Sequence, residues 1–312
     1  MVEQVLELLT RAEASCPPFR SVIVDGTVGG GGHARFLLEH LLPEGELVGF
    51  DRDPQALETA RSVLGDAPRI RLIHDSYAEI GRYLDPESVC AVILDLGLST
   101  DQLQSERGFS YARDDLLDMR FDPTSGSGDA HRGGITAFEV VNRYSVAHLR
   151  EIFFQYGEEP LSPRIARQID RVRSNGAIRT TGELAAAVRA AVPERFQIKA
   201  LARIFQAIRI EVNAEIEHLE RGLEACWKVL RRGGVFIILS YHSLENRRVK
   251  RFFAQKAKGC ICPPRLPVCA CGRKPSAKIL TASALSPSPK EIRINPQARS
   301  ARLRAALKVG GN

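Results

Sequence analysis

The sequence predicts an α/β protein built on a parallel, doubly wound sheet, its strand–helix alternation interrupted by an all-helical insertion. Three observations predict it. Val22-Ile23-Val24-Asp25 is a short β-branched run that ends in an acid, and Gly26-Thr27-Val28-Gly29-Gly30-Gly31-Gly32-His33 follows at once. The same pattern, an apolar run ending in polar residues, recurs at Glu46–Asp51, Arg69–Ile73 and Val89–Leu94, with helical stretches between. From about Asp101 to Asn213 only helical periodicity is found, after which strand signals resume.

Taken in order, Val2 to Leu9 reads as a short helix leading into the first strand. The glycine cluster then forms a tight turn at the start of a helix over Ala34 to Leu42. Glycine lets backbone approach a ligand closely, and a helix start offers free N–H groups and the positive end of a dipole. The second strand ends at Asp51, about 20 residues past the glycines, the spacing at which such a sheet sets a carboxylate on ribose hydroxyls. Asp53 caps the next helix, with Pro54 at its first position. The first turn reads acid-x-Thr-x-Gly-x-Gly, through Asp25, Thr27, Gly29 and Gly31, rather than G-x-G-x-x-G. It resembles the first motif of S-adenosylmethionine-dependent methyltransferases.

The third strand leads into His74-Asp75-Ser76-Tyr77, and the fourth into Asp95-Leu96-Gly97-Leu98-Ser99. Thr124 to Gly134 is Gly/Ser-rich and reads as a flexible loop. Four helices follow. Ser145 caps one carrying Val146, Leu149 and Phe153. Ser162-Pro163 opens another with Ile165, Ile169 and Val172 inward. Thr181 starts a third, and Ile198, Leu201, Phe205 and Ile208 mark a fourth. A stripe of Ile216, Leu219, Leu223, Trp227 and Leu230 is ended by Gly233-Gly234. Val235 to Leu239 is the fifth strand, leading into Tyr241-His242-Ser243-Leu244-Glu245, and a basic helix begins at Asn246. Lys278–Ala282 and Ala301–Val309 supply the last two strands.

The chain has 312 residues, 44% hydrophobic and 26% charged, which suits one large or two modest domains. Its net charge of +7 suits a polyanionic partner. No apolar run reaches a membrane span, and Glu3, Glu7, Arg11 and Glu13 stand where a signal peptide needs an apolar core, so a cytoplasmic protein without a membrane partner is expected. The seven cysteines are then expected as thiols or metal ligands rather than disulfides. Cys260-x-Cys262 and Cys269-x-Cys271 can form a four-thiolate zinc site. Their C-x-C spacing departs from C-x2-C, so reduced thiols in an ordered loop, with no metal, are the simpler reading.

At this point the chain closely resembles the bacterial 16S ribosomal RNA cytosine-N4 methyltransferases. The matching words are Asp-Gly-Thr-Val-Gly-Gly-Gly-Gly-His at 25–33, Asp-Arg-Asp-Pro at 51–54 and Leu-Asp-Leu-Gly-Leu-Ser at 94–99. Glu-Arg-Gly-Phe-Ser at 106–110, Leu-Asp-Met-Arg at 117–120, Tyr-Gly-Glu-Glu at 156–159, Ser-Tyr-His-Ser-Leu-Glu at 240–245 and Asn-Pro-Gln-Ala-Arg-Ser-Ala-Arg-Leu-Arg at 295–304 extend the match over nearly the whole chain. Two departures stand out. The family's His-x-Pro-Val segment ahead of the first helix is absent here, and residues 125–134 exceed its usual loop.

The resemblance implies a class I S-adenosylmethionine-dependent methyltransferase with a Rossmann-like sheet. Residues 1–105 and 214–312 would form the catalytic core, and 106–213 a helical insert that recognises RNA. S-adenosyl-L-methionine would be the cofactor, and 16S ribosomal RNA in the small ribosomal subunit the partner. Carried over by motif, Gly31, Gly32, His33, Asp51, Tyr77, Asp95 and Gln102 would contact the cofactor, beside Asp25 and Gly29 of the same turn. Methyl transfer to cytosine N4 needs alignment of a delocalised lone pair and an acceptor for its hydrogens. Asp95, Ser99 or a nearby carbonyl can accept, and His242 and Glu245 can take the proton, unless they form a structural cluster at a strand end. Three basic groups can hold phosphates: Arg164, Arg167 and Arg171 on one helix face; Lys199 and Arg203; and Arg247, Arg248, Lys250 and Arg251. Two rival classes remain. A nicotinamide-dependent oxidoreductase fits the sheet but not Thr27 and the absent pyrophosphate loop. A non-catalytic ribosome-assembly factor has no need of Asp25, Asp51 and Asp95 together.

Overall fold

The structure is a computed structural model that describes residues 1–11, 22–40, 45–124, 134–258, 260, 262–263 and 266–310. The Gly/Ser stretch expected as a flexible loop therefore lies, over 125–133, outside the described residues, as does Pro264 of the cysteine segment. The chain packs as two units, one of residues 1–97 with 218–312 and one of residues 98–217.

The first unit holds a seven-stranded sheet. After α1 (Val2–Arg11) come β1 (Val22–Asp25), α2 (Gly32–His40), β2 (Glu46–Asp51), α3 (Pro54–Leu64), β3 (Ile70–His74) and β4 (Val89–Asp95). The second unit interrupts the chain here. The first unit resumes in the first turn of α10 (Glu215–Val229), at His218, and runs on through β5 (Leu230–Ser240), α11 (Ser243–Lys258), β6 (Ala277–Ile279), α12 (Pro289–Ile294) and β7 (Arg302–Lys308). The strand order is β3-β2-β1-β4-β5-β7-β6, with β3 to β5 all parallel and β7 antiparallel to both its neighbours. Order reverses between β1 and β4, the point where an α/β sheet opens a crevice at its carboxyl edge. The interior strands are buried on both faces, which explains the continuous apolar runs of β4 and β5. One face packs on Leu8, Leu37 and Leu57, the other on Leu219, Leu223, Trp227 and Phe252.

The structure revises several boundaries. Gly233-Gly234 does not end α10; the pair lies within β5, where the register against β4 shifts between Val89 and Ala91. The helix ends at Val229 instead. Buried Lys308 donates from Nζ to the carbonyls of Trp227 at 2.9 Å and Leu230 at 2.6 Å, satisfying groups a helix end leaves open. The basic helix α11 starts at Ser243, three residues before Asn246, so the Ser-Leu-Glu word forms its first turn. Cys90 is disulfide-bonded, against the expectation that no cysteine would be.

The second unit contains α4 (Thr100–Gln104), α5 (Ala137–Arg143), α6 (Val146–Gln155), α7 (Ser162–Arg173), α8 (Thr181–Ala191) and α9 (Gln197–Asn213). It begins at Leu98, earlier than residue 106. Its apolar core runs from Phe109 and Met119 through Leu149, Ile165 and Val188 to Ile208. Ser145 and Thr180 cap α6 and α8. Helix α5 has no counterpart in the sequence reading, although Thr136 and Glu139 form a capping box at its start. Ile198, expected inward on α9, is 74% exposed. The periodicity of Leu201, Phe205 and Ile208 extends one turn beyond the face that is buried.

Candidate active site

Within the first unit, the carboxyl ends of β1, β2, β4 and β5 and the turn after β3 present the polar residues that the sequence singled out. Each strand ends where the chain leaves the ladder, so its last side chain is fixed by the sheet while its backbone turns away. Gly29 and Gly31 hold φ angles of +50° and +84°, in the left-handed region that side-chain-bearing residues rarely adopt. A Cβ added at Gly32 would meet open space, so the turn leaves room above the start of α2.

Three carboxylates gather polar contacts here. Asp25 is buried; Oδ1 accepts from Thr27 N–H at 3.2 Å, while Oδ2 has no partner. Burial pushes its pKa up to about 6, opposed by His33. Asp51 clamps the turn: Oδ2 accepts from Gly29 N–H at 2.9 Å and Oδ1 from Asp53 N–H at 2.9 Å. Burial outweighs those bonds and raises its pKa to about 6. Asp95 closes β4. Its backbone N–H donates to Thr27 Oγ1 at 2.6 Å, and its Oδ2 lies 3.6 Å from His33 Nδ1. Asp95 Oδ1 and His33 Nε2 are buried without a partner.

Tyr77 stands in the 3-10 turn after β3, where Ser76 caps the turn and Asp75 accepts from Ser76 N–H and Tyr83 Oη. Its ring lies against Gly222, where any Cβ would come within 2.2 Å of the ring. Tyr241 was not singled out as a site residue, yet burial, followed by the charge of Asp95 and a hydrogen bond to it, raises its phenol's pKa. Its place two residues after an apolar strand was the available signal.

Other candidates are occupied locally. Glu245 Oε2 accepts from the Tyr241 and His242 N–H groups at 2.8 and 3.3 Å, and Oε1 lies 3.0 Å from His242 Nε2. His242 Nδ1 accepts from Glu245 N–H at 3.4 Å. The pair therefore organises the start of α11. In the second unit, Ser99 and Gln102 form a reciprocal capping box at α4, with Ser99 Oγ accepting from Gln102 N–H at 3.0 Å and Gln102 Oε1 from Ser99 N–H at 3.1 Å.

The basic groups separate in the same way. Arg164, Arg167 and Arg171 are exposed on one face of α7, and Lys199 is exposed on α9. Arg203 is instead paired with buried Glu159 at 3.4 Å. On α11, Arg247, Lys250 and Arg251 are exposed, while Arg248 bridges to Glu220 at 2.9 Å. Among the described residues, no helix is long and apolar enough to cross a membrane.

Unpartnered buried oxygens and a buried ring nitrogen beside an open glycine turn fit a small polar ligand carrying hydroxyls and positive charge. The model of the MraW methylase family matches residues 1–309. The chain belongs to that family. It is 46% identical to the ribosomal RNA small subunit methyltransferase H of Syntrophotalea carbinolica, covering 99% of this chain and 96% of that one. It is 45% identical to the protein of the same name from Desulforapulum autotrophicum, covering 92% of each. As an MraW-family methyltransferase, it keeps its shared words in both units. Leu117-Asp118-Met119-Arg120 is held by Asn213, whose side chain accepts from Phe121 N–H at 2.8 Å and donates to Met119 O at 2.7 Å. Met119 is fully buried at φ +58°, a strained placement that the surrounding bonds enforce.

Proposed function

We propose that this methyltransferase moves the methyl group of S-adenosylmethionine to the exocyclic N4 amine of one cytidine in 16S ribosomal RNA of the small ribosomal subunit. Family membership and the relatives' printed name support the ribosomal RNA target. The observation that carries the chemistry is Asp95: it ends the strand at the switch point, and its Oδ1 is buried with no protein partner. The competing groups on Ser99 and Glu245 are engaged at helix starts; His242 Nε2, 3.0 Å from Glu245 Oε1, is likewise buried without a hydrogen bond.

S-adenosylmethionine, when bound, supplies a methyl group activated by a sulfonium. Asp51 accepts the ribose hydroxyls, Tyr77 flanks the adenine, and Asp25 and His33 hold the amino-acid end beside Gly29, Gly31 and Gly32. Asp25 and Asp95 present negative charge to a cationic ligand, most strongly at buried Asp25. Asp95 accepts an N4 hydrogen and so localises the lone pair. The exposed arginines of α7 grip phosphates and orient the target, which must leave its stack.

Incubation with labelled S-adenosylmethionine and small ribosomal subunits from a strain lacking the enzyme should add one N4-methylcytidine, identified by nucleoside mass spectrometry. Free cytidine should be a poor substrate, because remote contacts orient the base. A 5-methylcytidine product would contradict the mechanism. Absence of transfer in any assembly state would favour a non-catalytic assembly role.

A further inference from the structure

Four cysteines lie outside the site described above, in the connection from α11 to β6. Cys260 Sγ lies 3.6 Å from Cys269 Sγ and 3.7 Å from Cys271 Sγ, Cys262 Sγ 4.0 Å from Cys269 Sγ, and Cys269 Sγ 3.6 Å from Cys271 Sγ. All four sulfurs fall within 4.8 Å of one another. A tetrahedron with metal–sulfur bonds of about 2.3 Å has edges of about 3.8 Å, so these separations are those of four ligands on one ion. They exceed the roughly 2.05 Å of a disulfide, and they are short for an iron–sulfur cluster, whose separate irons hold the thiolates further apart.

One further observation agrees. Among the described residues from 260 to 276, none is buried. These described residues therefore supply no apolar core, and a small unit without a core needs another fastening.

We propose that Cys260, Cys262, Cys269 and Cys271 bind one zinc ion as a closed four-thiolate site. Four protein ligands leave no open position, so the ion is structural and carries no part of methyl transfer. With the ligand spacing C-x-C-x6-C-x-C, the ion ties Cys260 and Cys262, after α11, to Cys269 and Cys271, ahead of β6. The free energy of chelation takes the place of hydrophobic burial in fixing this connection.

The test uses the full chain, purified without added chelator from zinc-supplemented culture. Mass spectrometry of the metals should find about one zinc per chain. A mercurial thiol reagent should release it, and zinc X-ray absorption should give sulfur neighbours alone. Removing the ion should raise hydrogen exchange over 266–276 while β5 stays protected. The Cys262→Ser/Cys269→Ser variant should lose the zinc; because that variant can fail to fold, the measurements on the unaltered protein decide. A metal-free preparation, iron in place of zinc, paired disulfides by intact mass, or nitrogen and oxygen neighbours around the ion would each overturn the assignment.

Discussion

Replacing Asp51 separates binding from architecture. Its carboxylate accepts two backbone N–H groups at 2.9 Å, from Gly29 and Asp53, and in the proposed function also receives the ribose hydroxyls. Asp51→Ala removes an ionised acceptor from the ligand, at about 1.5–3 kcal/mol for hydrogen bonds to a charged group. That corresponds to a loss of roughly 10- to 150-fold in affinity for S-adenosylmethionine. The same change strands the two amides, so stability should fall as well, by about 1–3 kcal/mol. Asp51→Asn keeps one acceptor for an amide but loses the charge, so it should recover part of the stability while remaining weak in binding. Titration calorimetry gives the affinity and urea unfolding the stability. Unchanged affinity in a destabilised Asp51→Asn protein would refute the ribose role and leave Asp51 as a clamp on the glycine turn.

Three further outcomes are expected. Asp25 and Asp51 both titrate near 6 in the folded protein, above the roughly 3.9 of an unfolded aspartate. Their ionised forms therefore penalise the ligand-free fold above about pH 6, and these two groups contribute gains in stability as pH falls from 7 towards 4. A cationic ligand favours the ionised forms, so its affinity should fall below about pH 6; flat stability and affinity between pH 7 and 5, in proteins with and without Asp25→Asn, would contradict this. In the helical unit, replacing Arg164, Arg167 and Arg171 by Gln should leave unfolding unchanged and reduce the salt dependence of ribosomal RNA binding, by up to about three counterions. Arg203→Ala should instead lower stability, because it leaves Glu159 buried without its partner.

The sequence by itself determined the sheet, its glycine turn and the acids at which β1, β2 and β4 end. Strand, acid and glycine are neighbours in the chain, and each feature follows from local rules: β-branched runs extend, glycine accepts positive φ, and Asp53-Pro54 starts a helix. It also located the helical interruption, because amphipathic spacing of 3.6 residues needs no tertiary information. What it could not decide was which polar atoms remain without partners. Ser99, Gln102, His242 and Glu245 read as chemistry in one dimension, yet their bonds go to helix starts, since capping and catalysis use the same residue types. Arg203 looked like a phosphate ligand until Glu159, 44 residues away, was found beside it. The end of α10 was set by Lys308, 79 residues beyond its last residue, and no local signal at Val229 announces that. The cysteine spacing was ambiguous for the same reason: C-x-C constrains two sulfurs, and only the fold of the connection brings all four within reach of one ion. Local steric and hydrogen-bond preferences are written in adjacent residues, whereas partnership across the chain depends on packing that no short window contains.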